Sequence, residues 1–164
     1  MRVIQLLLVT IHILAAALWL GAMGFLGLIL VPELRRLEKA LRLELLVATG
    51  RRLRNIAWFL FFVLSTTGLL QLWLRGYRPP DLSGPLWQGP AGAALTWKLG
   101  LFAAAICLAA WHDFFAGPRA VTSPVADGDA ERWRRLASAA GRVLFLLGLA
   151  IVYCAVAFVR GGFL

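Results

Sequence analysis

Two histidines and one lysine lie within long apolar segments of this chain, and they are the residues best suited to chemistry. His12 belongs to the first apolar run, whereas Lys98 and His112 belong to the third. An ionisable group in the bilayer core costs about 2.5–3.5 kcal/mol on insertion scales, so such groups usually have a partner or a function. The chain has only two histidines, and a neutral imidazole is a common ligand of transition metals and of haem iron. These positions predict a metal or cofactor site within the membrane.

Four apolar runs must position these residues, at 3–31, 56–74, 93–115 and 143–159. The chain is 61% hydrophobic and 15% charged, which is too apolar for a soluble domain of this size. Each run can cross a hydrocarbon core of about 30 Å, for which roughly 17–20 helical residues suffice. We therefore predict an all-α fold, an integral membrane four-helix bundle that forms one domain over residues 1–164. The first run is too long for the apolar part of a signal peptide, so we expect it to be retained.

The net charge of +9 is distributed in a way that predicts topology. The first and third connectors are rich in arginine, whereas the second has only Arg75 and Arg78. The positive-inside rule then places the first and third connectors in the cytoplasm and both termini on the outer, periplasmic side. We expect a multi-pass protein of a prokaryotic inner membrane whose partner is the lipid bilayer, with no nucleic-acid binding.

The chain is organised as two helical hairpins with weak parallel-repeat symmetry. Between spans 1 and 2, leucines at helical spacing predict an amphipathic cytoplasmic helix, which could lie on the membrane or extend a neighbouring span. Pro32 predicts a break or kink at the end of the first span. The proline-rich loop at 76–92 is expected to be irregular, and Asp127 is a candidate cap for the helix that enters span 4.

Helical geometry separates His12, Lys98 and His112 by depth. Lys98 and His112 share one face of the third helix but lie about 21 Å apart along its axis. His12 lies on a stripe of the first helix that continues through Trp19 to Met23. The predicted topology makes His12 and Lys98 an outer pair and places His112 about 15 Å deeper. Ligation of one haem by both histidines of a single chain is therefore not expected.

Each of these residues also has a purely structural interpretation. Lys98, beside Trp97, could extend its amine to the interface, and His112-Asp113 could mark the inner interface. A buried His12 without a ligand would need a hydrogen-bond partner on the second helix, either a hydroxyl of Ser65-Thr66-Thr67 or the amide of Gln71. Three further residues, Met23, Cys107 and Cys154, could be soft copper ligands or simple packing residues. No structural disulfide is expected, because both cysteines lie inside spans.

Two motifs resemble a known family. The segment from His12 to Gly21, His-Ile-Leu-Ala-Ala-Ala-Leu-Trp-Leu-Gly, resembles the opening helix of CopD-type copper-resistance membrane domains. The segments Trp97-Lys98-Leu99 and Trp111-His112-Asp113, followed by Gly117-Pro118-Arg119, resemble the third helix of that superfamily. The chain is also distantly similar to HemJ-type protoporphyrinogen oxidases, which bind haem b, although it departs from their pattern after Pro32. That similarity implies that His12 and Lys98 form the functional pair.

Three functions are compatible with these features. The first is a haem b protein that transfers electrons, alone or as a subunit of a respiratory complex, with His12, Lys98 and His112 as cofactor-binding residues. The second is copper transport or resistance, with His12, His112 and Met23 as metal ligands. The third is a non-catalytic accessory subunit. Electron transfer or transport is expected rather than stand-alone enzymatic activity, and the site could be shared with another membrane subunit or a second copy of the chain.

Overall fold

The computed structural model describes residues 2–78, 80, 81, 84–122 and 128–163. Over these residues the chain is helical, without strands, and four long helices dominate it. They are α1 (Arg2–Leu34), α2 (Lys39–Leu74), α3 (Gly89–Ala120) and α4 (Gly128–Val159). Each contains a stretch long and apolar enough to cross a membrane. The prediction of four helical spans is confirmed, and the protein is a multi-pass membrane protein.

The structure selects one of the two arrangements predicted for the first connector, the extension of a neighbouring span. The connector is helical, but it forms no separate element, because α2 runs without a break from Lys39 through the second span. The chain reverses between α1 and α2 in a tight turn, in which the amides of Arg35 and Arg36 donate to the carbonyls of Pro32 and Glu33. The segment therefore extends a span, and its leucines Leu41 and Leu45 remain exposed. The candidate cap Asp127 lies outside the described residues.

The four helices pack as two antiparallel pairs, α1 with α2 and α3 with α4, and α1 also meets α4. Between α2 and α3 the contacts are aromatic, with the rings of Phe61 and Phe102 in edge-to-face geometry 5.8 Å apart. Every helix contributes to one core, which consists of Ala15, Trp19, Leu60, Phe61, Leu64, Ala105, Ala109 and Leu144. Many large apolar side chains outside this core are exposed, as expected of a surface that faces lipid.

A π-helical turn near the end of both α1 and α3 relates the two hairpins. In α1 it covers Leu26–Leu30, and in α3 it covers His112–Ala116. In each case a proline, Pro32 or Pro118, follows two residues later. Proline donates no backbone hydrogen bond and its ring crowds the preceding turn, so a wider turn relieves the conflict. Pro32 therefore distorts α1, as predicted, but the helix continues past it to Leu34.

The ends of α2 and α4 are equivalent as well. The amides of Arg75 and Gly76 close the last turn of α2, and those of Arg160 and Gly161 close α4 with the same pattern of acceptors. Gly76 and Gly161 both have φ +95°, a left-handed conformation that glycine adopts without steric cost. Both hairpins thus combine a proline-linked π-helical turn in the first helix with an Arg-Gly termination of the second.

Candidate functional site

His12 is held by α2 through a short hydrogen bond. Its Nδ1 lies 2.7 Å from Oγ1 of Thr67, whose side chain is buried. The same Oγ1 lies 2.6 Å from the carbonyl oxygen of Val63. A hydroxyl has a single proton, and two oxygens this close require a proton between them. Thr67 therefore donates to Val63 and accepts from Nδ1–H of His12.

This arrangement determines which ring nitrogen of His12 is available. In the neutral imidazole the proton stays on Nδ1, so the lone pair of Nε2 is free to accept a proton or bind a metal. Nε2 has no hydrogen-bond partner among the described residues. Metal-binding histidines are typically oriented in this way, with the second nitrogen donating to an oxygen of the protein. Of the partners predicted on the second helix, the structure selects Thr67.

Glycine allows the ring of His12 to approach α2. A Cβ built on Gly68 would lie 3.5 Å from Cε1 of His12, so the imidazole rests directly against the backbone of the helix. One turn further along α2, the amide nitrogen of Gln71 is buried without a hydrogen-bond partner among the described residues. A buried donor of this kind can be satisfied by a water or by an acceptor atom of a ligand. The surroundings of His12 thus contain an unused acceptor, Nε2, and an unused donor.

The two remaining helices contribute Lys98 and Cys154 at the same depth. Lys98 lies within electrostatic range of His12, of Arg75 and of Cys154. Its amine makes no hydrogen bond or ion pair within the described part of the chain. Cys154 is a buried free thiol. We refer to His12, Thr67, Gln71, Lys98 and Cys154 as the His12 layer, to which every helix contributes.

The repeat explains why His12 and Lys98 lie at the same depth. Each stands twenty positions before the proline that follows a π-helical turn, Pro32 in α1 and Pro118 in α3. The two residues therefore occupy equivalent places in the two hairpins. Repeats of parallel orientation commonly place a binding site at the interface between their halves. An imidazole and an amine at equivalent positions give this interface one neutral ligand and one cation.

His112 belongs to a second cluster at a different depth. Its Nδ1 lies 2.8 Å from Oδ1 of Asp113, whose Oδ2 accepts a 3.0 Å hydrogen bond from the indole N–H of Trp58. Trp58 and Thr67 are nine residues apart on α2, so the cluster lies about 14 Å from the His12 layer along that helix. We call Trp58, His112 and Asp113 the His112 cluster. The structure thus separates the two histidines and does not bring them to one metal.

Sequence reasoning missed Trp58 as a partner of Asp113. The available signal was chemical, because an indole N–H within an apolar run needs an acceptor when it is buried. Asp113 is the carboxylate of α3 that can reach it, and its side chain is only 14% exposed. The carboxylate therefore links α2 to α3 and fixes the orientation of the neighbouring imidazole.

The other candidate ligands lie apart from the His12 layer. Met23 packs against the apolar core, eleven residues or about 16 Å along α1 from His12. Cys107 is an exposed free thiol. Within the described residues, no three side chains of His, Cys, Asp or Glu cluster in a way that could enclose a metal. A metal bound at His12 would therefore have few protein ligands.

Comparison with known proteins adds a family relationship. The model of the family described as copper resistance protein D matches residues 47–158, which include α3 and most of α2 and α4. The chain is also similar to an uncharacterized protein of Aquifex aeolicus (strain VF5), with 30% identity over 149 residues and 89% of each chain covered. No solved structure shows a significant match. The resemblance to CopD-type domains inferred from α1 and α3 is confirmed by this match.

Proposed function

Because this chain belongs to the copper resistance protein D family, we propose that it handles copper within the membrane and that His12 is the metal ligand. The observation that carries the proposal is the hydrogen-bond chain from His12 through Thr67 to the carbonyl of Val63. It leaves Nε2 of a neutral imidazole unused inside a bundle of apolar helices. Such a nitrogen suits copper, for which imidazole and sulfur are preferred ligands.

The His12 layer also contains a sulfur ligand. Cys154 reaches the layer from α4, and Cu(I) accepts a small set of soft ligands such as an imidazole with a thiol. Copper is cargo in this proposal, so its binding must be reversible. The positive charges of Lys98 and Arg75, within electrostatic range of each other, oppose tight retention of a cation and favour release.

The His112 cluster offers a second position on a path along the bundle. Nδ1 of His112 bonds to Asp113, which leaves Nε2 as the nitrogen available to a metal. Met23 is a third, softer ligand of the same helix face as His12. We propose that copper moves between the two depths through these residues rather than binding to both histidines at once.

A copper(I) titration tests the proposal. The purified protein in neutral detergent is titrated with Cu(I) under anaerobic conditions against a chelator that competes for the metal. We expect reversible binding of copper at the His12 layer, at least a tenfold loss of affinity at that site in His12→Ala, and no change in the matched control Cys107→Ala. A wild-type protein that binds no copper, or a His12→Ala variant that binds it normally, would contradict the proposal.

One observation favours a second function, the binding of haem b for electron transfer. Lys98 lies near His12 and Arg75 lies near Lys98, and no carboxylate partner of either cation is found among the described residues, a distribution that suits the two propionates of haem. His12 would bind the iron, and Lys98 would pair with a propionate. Bound haem would supply one-electron transfer at a potential determined by its axial ligand and its burial.

An absorption spectrum separates the two functions. A Soret band with a dithionite-sensitive α band that disappears in His12→Ala supports haem and overturns the proposal that His12 binds copper. A colourless protein that binds Cu(I) supports copper. A colourless protein that binds neither and co-purifies with other membrane subunits would indicate an accessory role.

A further inference from the structure

A basic groove lies at the end of the bundle opposite the chain termini. It has a volume of about 630 Å³ and lies between the end of α1, the first part of α2 and the first part of α4. Its lining includes five arginines, Arg35, Arg42, Arg134, Arg135 and Arg142, and a single carboxylate, Glu131. The groove is therefore strongly positive, and its arginines come from α2, from α4 and from the turn that follows α1.

Most of this charge is not neutralised within the chain. Glu131 contacts both Arg134 at 3.4 Å and Arg135 at 3.1 Å, so one carboxylate serves two guanidinium groups. The side chains of Arg35 and Arg42 have no ion pair or hydrogen bond in the described part of the chain. Guanidinium groups in this state are suited to phosphate oxygens, which they bind with paired, charge-assisted hydrogen bonds.

The groove lies where the apolar part of the bundle ends. Arg142 directly precedes the apolar run 143–159, and Val31 is the last residue of the run 3–31. Leu46 and Leu136 line the groove beside the arginines. A ligand that fits must therefore present a phosphate to the arginines and an apolar portion to Val31 and the leucines. The headgroup region of a bilayer contains such molecules at this depth.

We propose that this groove is a binding site for one anionic phospholipid. The lipid phosphate is held by Arg35, Arg42 and Arg142, and the glycerol and upper acyl chain pack against Val31. Basic pockets between transmembrane helices at the cytoplasmic face are suited to lipid headgroups of this kind. The site is independent of the His12 layer, and its occupation ties the end of α1 to α4.

Native mass spectrometry of the detergent-purified full chain tests this site. Phosphatidylglycerol and phosphatidylcholine are titrated separately, and bound lipid is counted on the wild type, on Arg35→Gln/Arg142→Gln and on Arg51→Gln/Arg52→Gln. The last is a matched control, since Arg51 and Arg52 line a different groove of α2 and their loss changes the net charge equally. The Arg35 side chain is exposed and unpaired, so the single variant Arg35→Gln serves if the double variant fails to fold.

We expect the wild type to retain phosphatidylglycerol in preference to phosphatidylcholine. The groove variant should lose at least fivefold in affinity, and the control less than twofold. An equal loss in both double variants would show that only the general positive field attracts the lipid, and would overturn the proposal. Equal retention of the two lipids, or displacement of phosphatidylglycerol by excess inorganic phosphate, would overturn it as well.

Discussion

Replacement of Thr67 by valine is the most direct perturbation of the His12 layer. Valine has nearly the shape of threonine but lacks the hydroxyl that accepts the 2.7 Å hydrogen bond from His12. Val63 keeps its backbone hydrogen bond within α2, so the main loss falls on the imidazole. Nδ1–H of His12, which is half-buried, then faces an apolar methyl group.

The expected magnitude follows from that loss. A buried donor without a partner costs about 1–3 kcal/mol, which favours the other tautomer, with the proton on Nε2. In that tautomer the nitrogen proposed to bind copper no longer offers a lone pair. Loss of such a supporting contact typically lowers metal affinity by about 10–100-fold, or roughly 1.4–2.8 kcal/mol.

Competitive Cu(I) titration of Thr67→Val measures this effect, with two controls. Thr67→Ser keeps the hydroxyl and should retain the affinity within about threefold, since only a methyl group is lost. Thr66→Val removes an exposed neighbouring hydroxyl and should bind as the wild type does. If Thr67→Val binds copper normally while His12→Ala does not, the hydrogen bond does not determine the ligand nitrogen. If Thr67→Ser loses as much as Thr67→Val, packing is responsible.

Three further variants test the packing of the bundle. Gly148→Ala would place a Cβ 3.0 Å from a buried ring atom of α1. We expect it to lower the free energy of unfolding by about 1–3 kcal/mol, measured as a lower unfolding temperature in detergent. In the control Gly141→Ala the added Cβ has no atom within 4 Å, so this variant should be neutral or stabilising. Gly92→Ala would bring a Cβ to 2.6 Å from a backbone carbonyl oxygen of the preceding turn. We expect a similar loss of stability, and an unchanged unfolding temperature would refute this expectation. Trp58→Phe removes a donor to Asp113 and should destabilise the fold by about 1–3 kcal/mol. Its copper affinity at His12 should change less than twofold, because the His112 cluster and the His12 layer are about 14 Å apart along α2.

The number of spans could be predicted from sequence because hydropathy is a property of contiguous residues. Residues 56–74 and 143–159 are predominantly apolar and contain no charged residue, and such a run must form a helix to satisfy its backbone in lipid. The helix ends were less predictable. Charged residues such as Arg51 and Arg52 are unfavourable in the lipid core but are compatible with a helix. For this reason α2 can begin at Lys39, well before its apolar part.

The candidate site could be predicted only in part. The sequence placed His12 inside an apolar run, and the cost of burying a polar group predicted a partner on the second helix, either a hydroxyl or the amide of Gln71. The choice of Thr67 over Ser65 or Thr66 did not follow from the sequence, because it depends on the rotation of α2 about its axis. Ser65 instead donates to the carbonyl of Phe61 in its own helix.

By itself, the sequence determined that this protein has four membrane-spanning helices and that His12 and Lys98 are costly residues within them. Only the tertiary structure decided which nitrogen of His12 is free and that Trp58 orients Asp113. Both hydrogen bonds join residues 55 positions apart, on helices whose relative rotation and depth are set by packing. Hydropathy is encoded locally along the chain, whereas a hydrogen bond between two helices exists only after they have packed together.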